Sequence, residues 1–75
     1  MKNAQAKFAV CINNDGYPVS LALRKIYRTL PDEQGKKHNL LRVVDESGED
    51  YLYPGRFFVP IQFSQAAEEA FLHAA

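Results

Sequence analysis

Disulfides, tryptophan and long apolar runs are missing from this 75-residue sequence. It has no Trp and a single cysteine, Cys11. One cysteine excludes an intramolecular disulfide, on which small secreted domains normally depend. Residues 1–6 lack the apolar core of a signal peptide, and no apolar run reaches the length that spans a membrane. These absences predict a cytoplasmic protein with no membrane segment.

Motifs for catalysis and metal binding are also missing. The chain contains no GxGxxG, Walker-type, CxxC or HExxH pattern. Cys11, His38 and His73 are the only groups for Cys–His chemistry, and Cys11 falls within a predicted strand, where a free thiol is usually a small buried hydrophobe. The acidic segment 45–50 does not fit a calcium loop, because Gly48 occupies its fourth position rather than its sixth. We predict no enzyme, no cofactor and no metal site.

The charges balance overall but are unevenly distributed along the chain. Residues 1–38 carry seven Lys or Arg against three Asp or Glu, whereas residues 39–75 carry two against six. This division predicts either a domain with a basic and an acidic side, suited to oriented docking, or a fold that interleaves the two halves. The length allows one thin core. We predict a disordered segment over residues 1–6 and a single domain over residues 7–75.

The first half of the chain predicts two strands separated by a loop. Residues 7–13 alternate, with Phe8, Val10 and Ile12 on the predicted buried face. Turn-forming Asn, Asp, Gly and Pro then predict an irregular loop over residues 13–20.

Residues 19–30 fit either a helical stripe or a strand with a bulge near Arg24. We predict a strand over residues 24–30, because that run is rich in β-branched and aromatic residues. Pro31 ends it and begins a short helix, which Asn39 can close in left-handed geometry.

Residues 40–53 predict a β-hairpin. A two-residue loop of Ser47 and Gly48 pairs Val44 with Tyr51, and it requires positive φ at Gly48. This register gives two faces, one with Leu41, Val43 and Leu52 and the other with Arg42, Val44, Tyr51 and Tyr53. The four carboxylates at the tip predict mutual repulsion and raised carboxyl pKa values. They fit either an acidic docking tip for a basic partner or a plain solvated turn.

The chain after the hairpin predicts a turn, a strand and a helix. The turn begins at Pro54, and Pro60 bounds the short last strand. Ser64 then caps a helix to residue 75 whose apolar stripe includes Phe71.

A resemblance to known proteins rests on two segments and the residues that follow them. These are 25–32 (KIYRTLPD), 42–54 (RVVDESGEDYLYP), and then Phe57, Phe58 and Val59. Here the chain resembles a group of small uncharacterised bacterial proteins predicted to form SH3-like barrels, and the resemblance covers most of residues 8–71. It implies a bacterial origin and no particular activity. The expected fold is mainly β, a small five-stranded SH3-like barrel with a C-terminal α-helix.

Two binding surfaces are predicted on this fold. The first suits a protein partner and resembles part of the SH3 peptide groove without its Trp; it comprises Tyr17, Tyr53, Pro54, Arg56 and Phe57. The second suits RNA or a ribosome and comprises Arg24, Lys25, Tyr27 and Arg28. The same basic residues also fit a solvated strand edge that blocks aggregation. The leading hypothesis is therefore a non-catalytic protein-binding module, and the alternative is an RNA-associated barrel.

Overall fold

The structure is a computed structural model that describes residues 7–73, with the side chains of residues 71 and 72 left out. The predictions for residues 1–6, Ala74, Ala75 and the Phe71 side chain lie outside this part. The elements in chain order are β1 (Phe8–Cys11), β2 (Ile26–Leu30), α1 (Glu33–Lys37), β3 (Leu40–Val44), β4 (Asp50–Pro54), a 3₁₀ turn (Gly55–Phe57), β5 (Phe58–Ile61) and α2 (Gln65–His73).

The five strands form one antiparallel sheet in the order β4-β3-β2-β1-β5. Strand β2 pairs with two neighbours: residues 26–28 pair with β1, and Thr29 and Leu30 pair with β3. Within residues 7–73, β4 and β5 lie at opposite ends of the order and do not close the sheet into a barrel. The prediction of a mainly β fold with five strands and a C-terminal helix is confirmed in this open form.

The main core cluster lies on the face of β1 opposite to the predicted one. Ala9 and Cys11 are buried in the main cluster, whereas Ile12 is 54% exposed. Phe8 is buried outside that cluster, and its ring centroid lies 5.1 Å from that of Phe63. The other members of the main cluster are Leu21, Tyr27, Val43, Tyr53, Phe57 and Phe58. The prediction that Phe8, Val10 and Ile12 face the core is confirmed for Phe8, but it was wrong for Ile12, because β1 has apolar residues on both sides and the main cluster packs on the other one.

The central hairpin forms with a register one residue away from the predicted one. Val43 pairs with Tyr51, and Leu41 pairs with Tyr53. The backbone N–H of Asp45 donates to the Glu49 carbonyl at 3.0 Å, so three residues rather than two form the loop. Three-residue hairpin loops commonly end in a left-handed residue.

The shift of one residue exchanges the faces of β4, because side chains alternate along a strand. Tyr53 is now in the core and 3% exposed. Leu52 instead lies against α1, where its Cδ2 is 2.7 Å from the position that a Cβ on Gly35 would occupy. The prediction of positive φ at Gly48 is confirmed, at 84°.

The predicted short helix forms after β2, but it begins at Glu33 rather than at Pro31, because Asp32 is extended and serves as the N-cap. The Asp32 side chain caps α1 by accepting from the Gly35 N–H at 2.7 Å. Asn39, with φ of 60°, closes it in left-handed geometry. The strand predicted over residues 24–30 begins instead at Ile26, because Arg24 is left-handed, with φ of 65°, and lies in the turn before β2.

At the C-terminal end, Ser64 caps α2. Its Oγ accepts from the Ala67 N–H at 3.1 Å, as predicted. No helix in the described part is long and apolar enough to cross a membrane.

Folding brings the two charge-segregated halves of the chain together. Three ion pairs join a residue of the first half to one of the second: Lys7–Glu68, Lys25–Glu46 and Asp32–Arg42. For these residues, folding interleaves the two halves of the chain and does not separate a basic side from an acidic side.

Candidate functional site

The residues of the first predicted surface come from three places. Tyr17 lies in the loop between β1 and β2, Tyr53 and Pro54 end β4, and Arg56 and Phe57 belong to the 3₁₀ turn. The Tyr17 ring stands edge-on to that of Tyr53 at a centroid distance of 4.9 Å, and to that of Phe57 at 6.3 Å. The fold thus brings the three aromatic residues together.

These five residues are not equally available to a partner. Tyr53 and Phe57 are each 3% exposed and belong to the core. Tyr17 is 41% exposed, Pro54 is half-buried, and Arg56 is exposed with its Cζ 5.3 Å from the Phe57 ring centroid. Tyr17 is therefore the aromatic ring of this set that a partner can contact.

An open pocket of about 370 Å³ lies beside Tyr17. Its lining comprises Tyr17, Ser20, Asp45, Ser47, Tyr51, Leu52 and Tyr53. Of the predicted surface it includes Tyr17 and Tyr53, but not Pro54, Arg56 or Phe57. We call this the Asp45 pocket, because Asp45 is the one carboxylate among these lining residues.

Asp45 begins the hairpin turn and is held by three hydrogen bonds. Its Oδ1 accepts from the Ser47 N–H at 2.9 Å and from Ser47 Oγ at 2.5 Å. Its Oδ2 accepts from Tyr53 Oη at 2.5 Å. An Asp that caps its own turn in this way is a common turn former. The turn thus fixes the carboxylate in place, and Asp45 is 7% exposed.

The hydrogen bonds keep Asp45 ionised. Burial opposes ionisation, but the bonds from Ser47 and Tyr53 outweigh it and lower the pKa of the carboxyl below its usual range. Conversely, burial and the bond to Asp45 raise the pKa of Tyr53 to about 12. None of the ion pairs between described residues includes Asp45.

Glu46, the next residue, has different partners. Its Oε2 accepts from Lys25 Nζ at 2.6 Å and from Tyr27 Oη at 2.5 Å. The bond from Lys25, followed by that from Tyr27, lowers the pKa of this carboxyl. The prediction that crowding raises the carboxyl pKa values was wrong for Asp45 and Glu46, because each has donors of its own.

The remaining two tip carboxylates also have partners. Glu49 Oε1 accepts from Tyr51 Oη at 2.9 Å, and Asp50 Oδ2 accepts from Arg42 Nη1 at 3.1 Å. The tip is therefore a set of separate hydrogen-bonded groups.

The second predicted surface is only partly presented to solvent. Tyr27 is 4% exposed, and its hydroxyl donates to Glu46 and accepts from the Ala22 N–H at 2.7 Å. Burial, with the bond to Glu46, raises the pKa of Tyr27 to about 12. Arg24 and Arg28 are exposed, whereas Lys25 is paired with Glu46. The Tyr27 ring is a core group and is not available for base stacking.

Cys11 lies in the core, with its thiol 3.2 Å from the Asn13 carbonyl oxygen. Burial raises the pKa of this thiol. Among residues 7–73, no three His, Cys, Asp or Glu side chains are grouped so as to hold a metal ion.

Sequence reasoning missed Ser20, Asp45, Ser47 and Tyr51. Tyr51 was placed on the wrong face by the register. Asp45 was interpreted only as one member of the acidic hairpin tip, which fitted a set of repelling charges, a docking tip for a basic partner or a solvated turn. No protein family, characterised protein or solved structure matches this chain. The site therefore rests on the geometry described above.

Proposed function

We propose that this chain is a non-catalytic module that binds another protein at the Asp45 pocket. The observation that carries the proposal is the pairing of two half-exposed rings, Tyr17 and Tyr51, with a fixed carboxylate in one open pocket. Tyrosine supplies a large contact area with few rotatable bonds, and it is enriched among the residues that dominate protein interfaces. The exposed fractions, 41% for Tyr17 and 50% for Tyr51, leave area for a partner to bury.

The proposal includes an SH3-like fold, with its barrel in the open form described above, in a bacterial cytoplasm. The sharing of β2 between β1 and β3, and the 3₁₀ turn before the last strand, support this fold. The single cysteine, free and buried in the core, supports a reducing compartment.

RNA binding has weaker support. A stacking surface needs exposed aromatic rings beside basic groups. In the described cluster the ring of Tyr27 is buried and Lys25 is neutralised by Glu46.

The test is capture of proteins from a bacterial lysate on the immobilised chain, with and without nuclease. Tyr17→Ser removes an exposed ring from the pocket, and Tyr51→Ser removes the other. Val19→Ser is the matched control, since Val19 is 88% exposed on the same loop as Tyr17 and does not line the pocket.

We expect a protein that resists nuclease, is retained by Val19→Ser and is lost with both tyrosine variants. Thermal melts of the variants verify that each remains folded. Capture that is equal for all variants contradicts the proposed surface. Capture that disappears with nuclease favours the RNA alternative.

A further inference from the structure

Asp45 holds a negative charge in a buried position, and no cation among residues 7–73 is paired with it. It is 7% exposed, and its described partners, Ser47 and Tyr53, are neutral donors. The ion pairs among residues 7–73 use Glu46, Asp50, Asp32 and Glu68, but not Asp45. Buried charges in proteins are normally paired with an opposite charge. The open pocket leaves room for that charge to come from outside the domain.

The hydrogen bonds of Asp45 restrict what can bind. A carboxylate has about four acceptor positions, two on each oxygen. Oδ1 already accepts two bonds from Ser47, whereas Oδ2 accepts one, from Tyr53. The bonds from the described residues therefore leave one acceptor position, on Oδ2. A guanidinium binds a carboxylate best through two parallel bonds to both oxygens, whereas an ammonium is a compact point charge that needs one.

The walls of the pocket fit the rest of a lysine side chain. Tyr17 and Tyr51 present half-exposed rings, whose π faces attract cations and whose apolar surface suits an aliphatic stem. Tyr51 Oη is bonded to Glu49 at 2.9 Å, which places a second carboxylate beside that ring.

We propose that the Asp45 pocket binds the ammonium group of a lysine side chain on the partner protein. The ammonium donates to Asp45 Oδ2, and the aliphatic stem packs against the rings of Tyr17 and Tyr51. The inference rests on the proposed protein-binding function and names the chemical group recognised.

The test is a titration of the ¹⁵N-labelled chain, followed by NMR, with three probes: Nα-acetyl-lysine amide, Nα-acetyl-arginine amide and Nα-acetyl-norleucine amide. Norleucine keeps the aliphatic stem and lacks the ammonium. We expect the lysine probe to shift the backbone signals of Ser47 and Tyr51 saturably. The norleucine probe should bind at least about tenfold more weakly, as loss of a hydrogen bond to a charged group implies.

Two variants separate the carboxylate from general charge effects. Asp45→Asn keeps an oxygen for the turn but removes the charge, so lysine should bind it no better than norleucine does. Glu69→Gln removes the same charge from an exposed position on α2 and should retain the lysine preference. If Asp45→Asn does not fold, Tyr51→Ser replaces it, and the lysine probe should again lose its affinity.

Equal binding of lysine and norleucine to the wild-type chain, or a preference for arginine, overturns the inference. So does a lysine preference that survives in folded Asp45→Asn or, where that variant does not fold, an unchanged affinity in Tyr51→Ser. The lysate capture distinguishes this failure from that of the proposed function. Capture that depends on Tyr17 but not on Asp45 keeps the protein-binding proposal and removes the lysine assignment.

Discussion

Asp45 and Glu46 are adjacent in the chain, but their carboxylates have different surroundings. Glu46 accepts from a cation, Lys25, and from the Tyr27 hydroxyl. Asp45 accepts from the Tyr53 hydroxyl and from Ser47, with no cation among its described partners. Both anions are stabilised, but only that of Glu46 is neutralised. The difference indicates which of the two is available to a charged ligand.

The Asp45 and Glu46 carboxylates each accept a hydrogen bond from a tyrosine of the core. Tyr27 and Tyr53 are both core rings whose hydroxyls reach a tip carboxylate. The Glu46 N–H also donates to the Ser20 carbonyl at 3.0 Å, which joins the tip to the loop that carries Tyr17. The hairpin tip is therefore part of the folded domain, and a substitution at either tyrosine should change the free energy of unfolding of the domain.

The largest effect is expected from Tyr53→Phe. This change leaves the buried Asp45 carboxylate without one of its donors, and we expect a loss of about 2 kcal/mol in the free energy of unfolding. Tyr27→Phe should cost only about 1 kcal/mol. Glu46 keeps Lys25 and is more exposed, and the Ala22 N–H, which also loses its acceptor, belongs to an exposed residue. Urea denaturation of both variants measures the difference. An equal or reversed order means that Asp45 is better solvated than the structure indicates.

Gly48→Ala should have the next largest effect. Gly48 has φ of 84° in the turn that positions both carboxylates, so alanine should lower the unfolding free energy by about 1 kcal/mol. Gly48→Asn is the control, because asparagine tolerates left-handed geometry and should cost less. If alanine is neutral in urea denaturation, the three-residue loop is incorrect.

Acidification should weaken both carboxylate sites. The folded-state pKa values of Asp45 and Glu46 are lowered, so the stability they contribute is present above their ordinary values of 3.8 and 4.5. It is lost as the pH falls through the lowered values. Thermal melts from pH 6 to about pH 2 should show Tm falling, with a smaller fall for Glu46→Gln. A Tm that rises on acidification would mean that the tip carboxylates repel one another, as the sequence predicted.

Lys25→Met should have the smallest effect. The pair of Lys25 with Glu46 is partly exposed, and such pairs contribute about 0–1 kcal/mol. The variant also leaves Glu46 without its cation, as Asp45 is in the wild type. Lysine-probe binding at the Asp45 pocket should not change, and the same urea and NMR measurements check both points. A shift of the probe to Glu46 would show that the missing cation, rather than the pocket, attracts it.

Sequence reasoning found local features that one or two residues decide. The left-handed Gly48, the left-handed Asn39 and the Ser64 cap each follow from the chemistry of a single side chain. The hairpin register does not, because loops of two and three residues both place Gly48 at positive φ. Apolar or aromatic residues on both sides of β4 and of β1 left the choice of core face open.

Sequence reasoning likewise found only part of the candidate site. Aromatic composition pointed to Tyr17 and Tyr53, which do line the pocket. The role of Asp45 depends on Tyr53, eight residues away, and that of Glu46 on Lys25, 21 residues away. A run of acidic residues looks the same whether its members repel one another or each has a distant donor, so the fold was needed to separate them.

The most direct test is the NMR pKa of Asp45 and Glu46 with and without saturating Nα-acetyl-lysine amide. A bound ammonium favours the charged form of the carboxylate it contacts. We predict that the Asp45 pKa falls further when the probe is bound, while the Glu46 pKa, already set by Lys25, stays where it is. An Asp45 pKa that does not move, or a Glu46 pKa that moves as far, contradicts the assignment of the Asp45 pocket as a lysine site.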